Sequence, residues 1–252
     1  MSQFTRMPQY IKDAYQKYCH PANRWNNSSA IIAGGAIRDT LNGAWVKDID
    51  IFVDARYAHE FSGDIRHWDK VGRGQSKLFD YNGDPILWQP STPKQAVSMS
   101  IPYGATSGAT SVYMNNMNGT ITFSSASIQM VAQQEKHDYT NNRRIVEVYE
   151  KEENIGGINY PYNLIFTECP PVEYVTKYFD FGICKTWYDG TYVHMHGDYT
   201  NDVNNKTITM VLPTEHVIAC YGSVQAGLDS MGEHAYRIQC KYPSHRIVMP
   251  SV

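Results

Sequence analysis

The span Ala30 to Asp54, AIIAGGAIRDTLNGAWVKDIDIFVD, fixes more of this chain's fold than any other stretch. AIIA is a short apolar strand, and Gly34 and Gly35 make a tight turn after it. The helix that follows carries Ile37 and Leu41 on one face and is stopped by Asn42 and Gly43. KDIDIFVD then returns as a second strand. Side chains two apart on a strand share a face, so Asp48 and Asp50 point the same way while Ile49, Ile51 and Val53 point to the other side.

Two carboxylates on one strand face beside a glycine turn have a definite chemical use. Hard divalent cations prefer such oxygen ligands, and two ions held about 3.5–4 Å apart suit in-line displacement at phosphorus. Gly34 and Gly35 let backbone amides approach phosphate oxygens at the positive end of a helix, and Arg38 adds a planar cationic fork. Each feature alone also has a plain structural explanation, as a turn, an internal ion pair or a solvated strand face.

Spacing joins them. Gly-Gly, two residues, Arg-Asp, three residues, Gly, four residues and Asp-x-Asp are all in place as Gly34, Gly35, Arg38, Asp39, Gly43, Asp48 and Asp50. This pattern resembles the signature of tRNA CCA-adding enzymes and bacterial poly(A) polymerases in the DNA polymerase β superfamily. The resemblance implies an α+β fold: a polymerase β-like nucleotidyltransferase head with a mixed, mostly antiparallel sheet flanked by helices, plus a short C-terminal helical segment. It implies Mg²⁺ or Mn²⁺ at Asp48 and Asp50, a nucleoside triphosphate substrate bound near Gly34, Gly35, Arg38 and Asp39, and transfer of a nucleoside monophosphate to an acceptor hydroxyl.

A second segment, DFGICKTWYD at residues 180–189, is similar to the family's Asp-Phe-Thr-Ile-Asn-Ala motif with its following Tyr-Asp, with Gly182, Cys184 and Lys185 as departures. By that resemblance Asp180, between Phe179 and Phe181 on a strand, is the third metal ligand or general base. Glu147 in IVEVYE is its rival. EHAYR, Glu233 to Arg237, resembles the family's base-selecting helix, with His234 replacing an Asp. His194 and His196 in YVHMHGD lie on one strand face and with Asp198 form a second metal candidate.

RRIVEVYEKEE and INYPYNLIFTE read as strands turned at Gly156 and Gly157, PPVEYVTKYF as a helix, and residues 7–19 as a first helix closed by HPANRWNNSS. A helix from about 213 to 231 begins at Pro213, and EHAYRIQCKY is a further helical piece. ASIQMVAQQ has a helical pattern within a Gly-, Ser-, Thr- and Asn-rich stretch. The domain expectation is a catalytic unit at 1–195 with an insertion at about 75–140, and a C-terminal helical appendage at 196–252.

At 252 residues and net charge −3, the chain lacks the cationic excess that duplex capture requires. Five cysteines without CxxC pairing suggest neither disulfides nor a zinc site, and no long apolar run suggests a membrane span. A cytoplasmic setting follows. The resembling enzymes carry long helical segments that grip tRNA, whereas about 60 residues follow the second motif here. The expectation is therefore a minimal, phage-type nucleotidyltransferase acting on an RNA end, a protein or a small molecule. The alternative is a catalytically silent module of the same fold that binds nucleotide or a partner.

Overall fold

The computed structural model describes residues 2–3, 7–23, 29–71, 77–87, 111–115, 120–125, 128–131, 144–155 and 157–249. The chain divides into two compact units, Met1–Gln89 with Tyr139–Val252, and Pro90–Asp138. The first is α+β. Its strands are β1 (Ser2–Gln3), β2 (Ala30–Ala33), β3 (Ile49–Asp54), β4 (Asp69–Val71), β8 (Ile145–Ile155), β9 (Ile158–Thr167), β10 (Thr186–Tyr188) and β11 (Val193–Met195). They form one mixed sheet in the order β1-β11-β10-β2-β3-β9-β8-β4. Every pairing is antiparallel except β3 with β9. In the second unit, β5 (Ser111–Asn115), β6 (Thr120–Ser125) and β7 (Ile128–Val131) form an antiparallel three-stranded sheet.

Strand alternation divides the apolar side chains of the large sheet between two layers. Ile32, Ile49, Ile51, Val53, Leu164 and Phe166 face one side, packed with Ile11, Tyr18, Phe61 and Trp68. On that side lie α1 (Gln9–Ala14), a π-helical turn (Tyr15–Cys19), α2 (His20–Asn23), a 3-10 turn (Ala55–Phe61) and α4 (Ser62–Ile65). Ile31, Ala33, Phe52, Val148 and Ile165 face the other side, where α5 (Pro171–Tyr178) covers them with Tyr174 and Val175. Between β2 and β3 runs α3 (Gly35–Leu41), ended by Asn42 and Gly43 at φ +66°.

A third apolar cluster joins Phe181 and Ile183 to α6 (Gly197–Asn205), β12 (Thr207–Thr209), α7 (Thr214–Tyr221) and α8 (Val224–Lys241). There β12 pairs in parallel with β13 (Arg246–Val248).

Several sequence expectations are corrected. The first helix continues to Asn23, because Pro21, which has no N–H, is accommodated by the π-turn, in which the His20 amide reaches back to Tyr15 O. The C-terminal helices break at Gly222 and Ser223, well before residue 231. Gly222 adopts φ +81° and its N–H closes on Ile218 O, while Ser223 Oγ accepts from the Ala226 amide to start α8. Within ASIQMVAQQ, Ile128–Val131 is the strand β7, its backbone claimed by β6. The rest of the expected 75–140 insertion beyond 77–87 and β5 to β7 lies outside the described residues, as does Gly156; Gly157 turns at φ +87°.

Candidate active site

Register assembles the site. Ala33 at the end of β2 sits opposite Asp50 on β3, and two residues on, the chain turns into α3 at Gly35, beside the residues that lead into β3. Asp48, one residue before β3, fits that placement, since its Oδ1 lies 4.0 Å from where a Cβ on Gly35 would stand. The fixed spacing between Gly-Gly and Asp-x-Asp thus has a geometric cause: it superimposes the turn on the acidic pair. On the opposite edge of β3, Asn163 of β9 is in register with Asp50 and its Nδ2 donates to Asp50 Oδ1 at 2.8 Å.

Gly34 holds φ +75° and ψ −131°, a conformation that side chains disfavour. Its amide donates to Thr186 O at 3.0 Å, and an added Cβ would come within 3.3 Å of the Phe179 ring. Gly35 has ordinary space around such a carbon, the nearest atom being an Arg38 Nη at 3.6 Å. Gly34→Ala should therefore cost about 1–3 kcal/mol of folding stability, and Gly35→Ala less than about 1 kcal/mol. Urea denaturation midpoints of the two variants check this, and equal losses would show that the turn does not distinguish the two glycines.

Electrostatics single out Asp50. Burial, and then the charge of Asp48, push its carboxyl up to about 7, against the lowering effects of Asn163, Lys47 and Arg38. A carboxylate whose proton affinity is raised by burial and a neighbouring negative charge also attracts a cation. Asp48 and Asp50, half-buried on the face that α5 flanks, offer the hard oxygen donors that Mg²⁺ or Mn²⁺ takes. The donor chemistry fits the ion.

Arg38 and Asp39 lie deeper. Arg38 is 5% exposed, donates from Nε to Asp39 Oδ1 at 2.7 Å and from Nη1 to Cys184 Sγ at 3.1 Å, and lies over the Tyr242 ring. Asp39 also accepts from Lys241 Nζ and, at 2.7 Å, from the Tyr242 hydroxyl, so it ties α3 to the end of α8.

Asp180 is not on a strand. Gly182–Cys184 forms a 3-10 turn and the strand starts at Thr186, which leaves Asp180 in the connection after α5. Its Oδ2 is 3.3 Å from His234 Nδ1 on α8. Glu147 is buried against Lys70 Nζ at 2.8 Å and accepts from the Lys77 amide and the Tyr149 hydroxyl. Among the described residues, no three His, Cys, Asp or Glu side chains gather as a metal-binding group.

The second metal candidate does not assemble on one strand face, because the strand ends before its last members. His194 lies on β11, with Nε2 2.6 Å from Asp189 Oδ2 and its ring stacked on Trp187 at 5.1 Å. His196 instead caps α6, accepting from the Asp198 amide, while Asp198 accepts from buried Lys185 Nζ at 2.9 Å. The five cysteines are free thiols.

Sequence reasoning passed over Asn163, Cys184 and the Lys241–Tyr242 end of α8. An amide between Tyr162 and Leu164 in a strand of buried residues was the available signal for Asn163. The others depend on contacts distant in the chain, which no local pattern reveals.

A family model described as Gad2, Gabija anti-defense 2 family protein, matches residues 5–206. No curated protein sequence matches the chain. Among solved structures, a tRNA-processing enzyme in its apo form I aligns at TM-score 0.43 and 13% identity, over 97% of this chain and 45% of that one. The Thermotoga maritima CCA-adding enzyme complexed with tRNA_CCA aligns at TM-score 0.43 and 12% identity, over 97% and 43%. The chain thus spans less than half the length of either. Among the described residues, no helix is long and apolar enough to cross a membrane.

Proposed function

The chain belongs to the Gabija anti-defense 2 family, and from that premise we propose that it is a divalent-metal-dependent nucleotidyltransferase. In this reading the acceptor oxygen bonds to the α-phosphorus of a nucleoside triphosphate and pyrophosphate leaves. The observation that carries the proposal is the register that sets Asp48 and Asp50 beside Gly34 and Gly35. Bound at Asp48 and Asp50, Mg²⁺ or Mn²⁺ would neutralise triphosphate charge and hold the reacting phosphoryl group.

The protein's own groups have distinct tasks. Gly35 leaves room for phosphate at the head of α3, where the first amides have no intrahelical acceptor. Gly34 keeps the turn tight against β10 through its bond to Thr186. Arg38 contributes positive charge close to Gly35 while remaining paired with Asp39. Asp180 is left out of the ligand set because its carboxylate pairs with His234.

For an anti-defense protein such a transfer has a direct use, because a nucleotidyl group placed on a component of the opposing defence blocks whatever that surface does. The test incubates the protein and Mg²⁺ with each labelled nucleoside triphosphate and, in turn, RNA, protein and metabolite fractions of the host. Label transferred to one fraction supports the reading and identifies the acceptor class. Absence of transfer from all four triphosphates to every fraction, with folded protein, removes it.

Two further results should accompany it. A triphosphate with Mg²⁺ or Mn²⁺ at 100 times its dissociation constant should stabilise the fold by about 2.7 kcal/mol, read as a rise in melting temperature. Gly35→Val should remove most of that rise with little change in the melting temperature of the free protein. Full retention of the rise would show that the space beside Gly35 is not used by phosphate.

A further inference from the structure

We infer that Asn163 supplies a third oxygen ligand, its amide Oδ1, to the divalent cation held by Asp48 and Asp50. The inference rests on the metal-dependent reading above and adds the identity of the missing donor.

Asn163 is on the strand neighbouring β3, opposite Asp50 and on the same face of the sheet, and it is 8% exposed. The branch of Asn163 that faces Asp50 is Nδ2, which donates to Asp50 Oδ1 at 2.8 Å. That leaves Oδ1 on the other branch of a planar amide whose rotation is fixed by the first contact. Among the described residues nothing donates to this oxygen.

An amide oxygen to which no protein group donates remains free to accept a ligand. It is also not sealed in the core, for it is absent from the fully buried oxygens that have no partner, which are Ser29 Oγ and Thr40 Oγ1. Asn163 shares its sheet face with Asp50, so an accessible Oδ1 opens on the side of the sheet that carries the acidic pair. Amide oxygens are regular ligands of hard cations, and they contribute without adding charge.

A neutral third donor has a consequence for affinity. Two carboxylates and one amide bind a divalent ion more weakly than three carboxylates would, because affinity rises with ligand charge. Such a site fills chiefly when triphosphate brings further oxygens with the ion. The single residue that limits metal affinity in the free protein is then Asn163, and replacing it by Asp should relieve that limit.

The experiment measures Mn²⁺ binding to the full chain by electron paramagnetic resonance at fixed neutral pH, without nucleotide. Asn163→Ala should weaken binding at least tenfold, and Asn163→Asp should tighten it at least tenfold. In parallel, electron–nuclear double resonance on the native protein, labelled with ¹³C at the asparagine Cγ, should show a carbon coupled to Mn²⁺ at the distance of a ligated amide. This measurement stands even where a variant fails to fold.

Native binding with no ¹³C coupling overturns the inference while leaving the two-carboxylate site intact. So does a folded Asn163→Asp that binds Mn²⁺ no tighter than native, since a residue that merely orients Asp50 would then be damaged by like-charge contact. If the native protein binds no Mn²⁺, both this inference and the metal-dependent reading fall.

Discussion

Replacing either Asp48 or Asp50 by Asn is expected to lower nucleotidyl transfer by at least about a hundredfold while the protein stays folded. Asn preserves the shape of the side chain and removes the charge that holds a cation against the triphosphate. Transfer and circular dichroism are the two measurements, and persistence of transfer in either folded variant would exclude that carboxylate as a metal ligand.

Asp50→Asn should also behave in a way that ordinary core damage does not. Burial and Asp48 raise the native Asp50 carboxyl to about 7 from its unfolded value near 4. Between those values the native state binds more protons than the unfolded chain, so stability without metal falls as pH rises through this window. The variant has no such proton to lose. Its metal-free melting temperature at pH 8 should exceed that of the native protein, and its pH slope between about 4 and 7 should be flatter. A native protein whose metal-free stability does not fall across that window would show that Asp50 carries no such strain. Sites that gather like charge for function commonly give up stability to do so.

The contrast between what local sequence disclosed and what it concealed follows the range of the interactions. Strand, glycine turn, helix and acidic strand over 30–54 are short-range features, and their spacing is enough to set Ala33 against Asp50 and Gly35 near Asp48. The hairpin of β8 and β9 and the helix α5 also declare themselves by period and by Pro171. From Asp180 onward the determinants are tertiary. Gly182 packs so tightly against α6 that a Cβ there would lie 2.7 Å from Asp202 Oδ2 and 3.1 Å from Asp198 O. That approach requires a 3-10 turn where the residues alone suggest a strand, and it moves Asp180 out of the sheet and into contact with His234. His196 similarly reads as strand by alternation, yet the start of α6 needs an acceptor for the Asp198 amide and recruits it.

Asn163 was concealed for another reason. The polar period of β9 is visible in the sequence, but only the parallel pairing with β3 puts that amide beside Asp50 and not one strand away. A register shift by one residue would turn it to the opposite layer. The pairing that places it joins two segments with the whole Pro90–Asp138 unit between them in the chain.

Asp39→Ala should be among the most destabilising substitutions in the chain, at about 3 kcal/mol or more. Asp39 is 1% exposed and accepts from Arg38, Lys241 and Tyr242. Burial by itself would raise its carboxyl, but Arg38, then Lys241 and Tyr242, outweigh that and hold it below the ordinary range. Removing the carboxylate strands the guanidinium of Arg38, itself 5% exposed, without its charged partner, and frees the end of α8 from α3. For a chain of this size such a loss lowers the melting temperature by about 6–12 °C. Because the native carboxyl is depressed, its stabilisation is complete above the unfolded value near 4 and fades as pH falls below it, so the gap between native and variant should narrow on acidification. Both measurements are made without nucleotide, which separates two roles for the residue. If Asp39→Ala melts with the native protein yet binds triphosphate poorly, Asp39 serves the ligand directly. If it melts early at neutral pH, and Lys241→Met costs little further in the Asp39→Ala background, Asp39 joins the two helices and reaches the nucleotide only by fixing Arg38 beside Gly35.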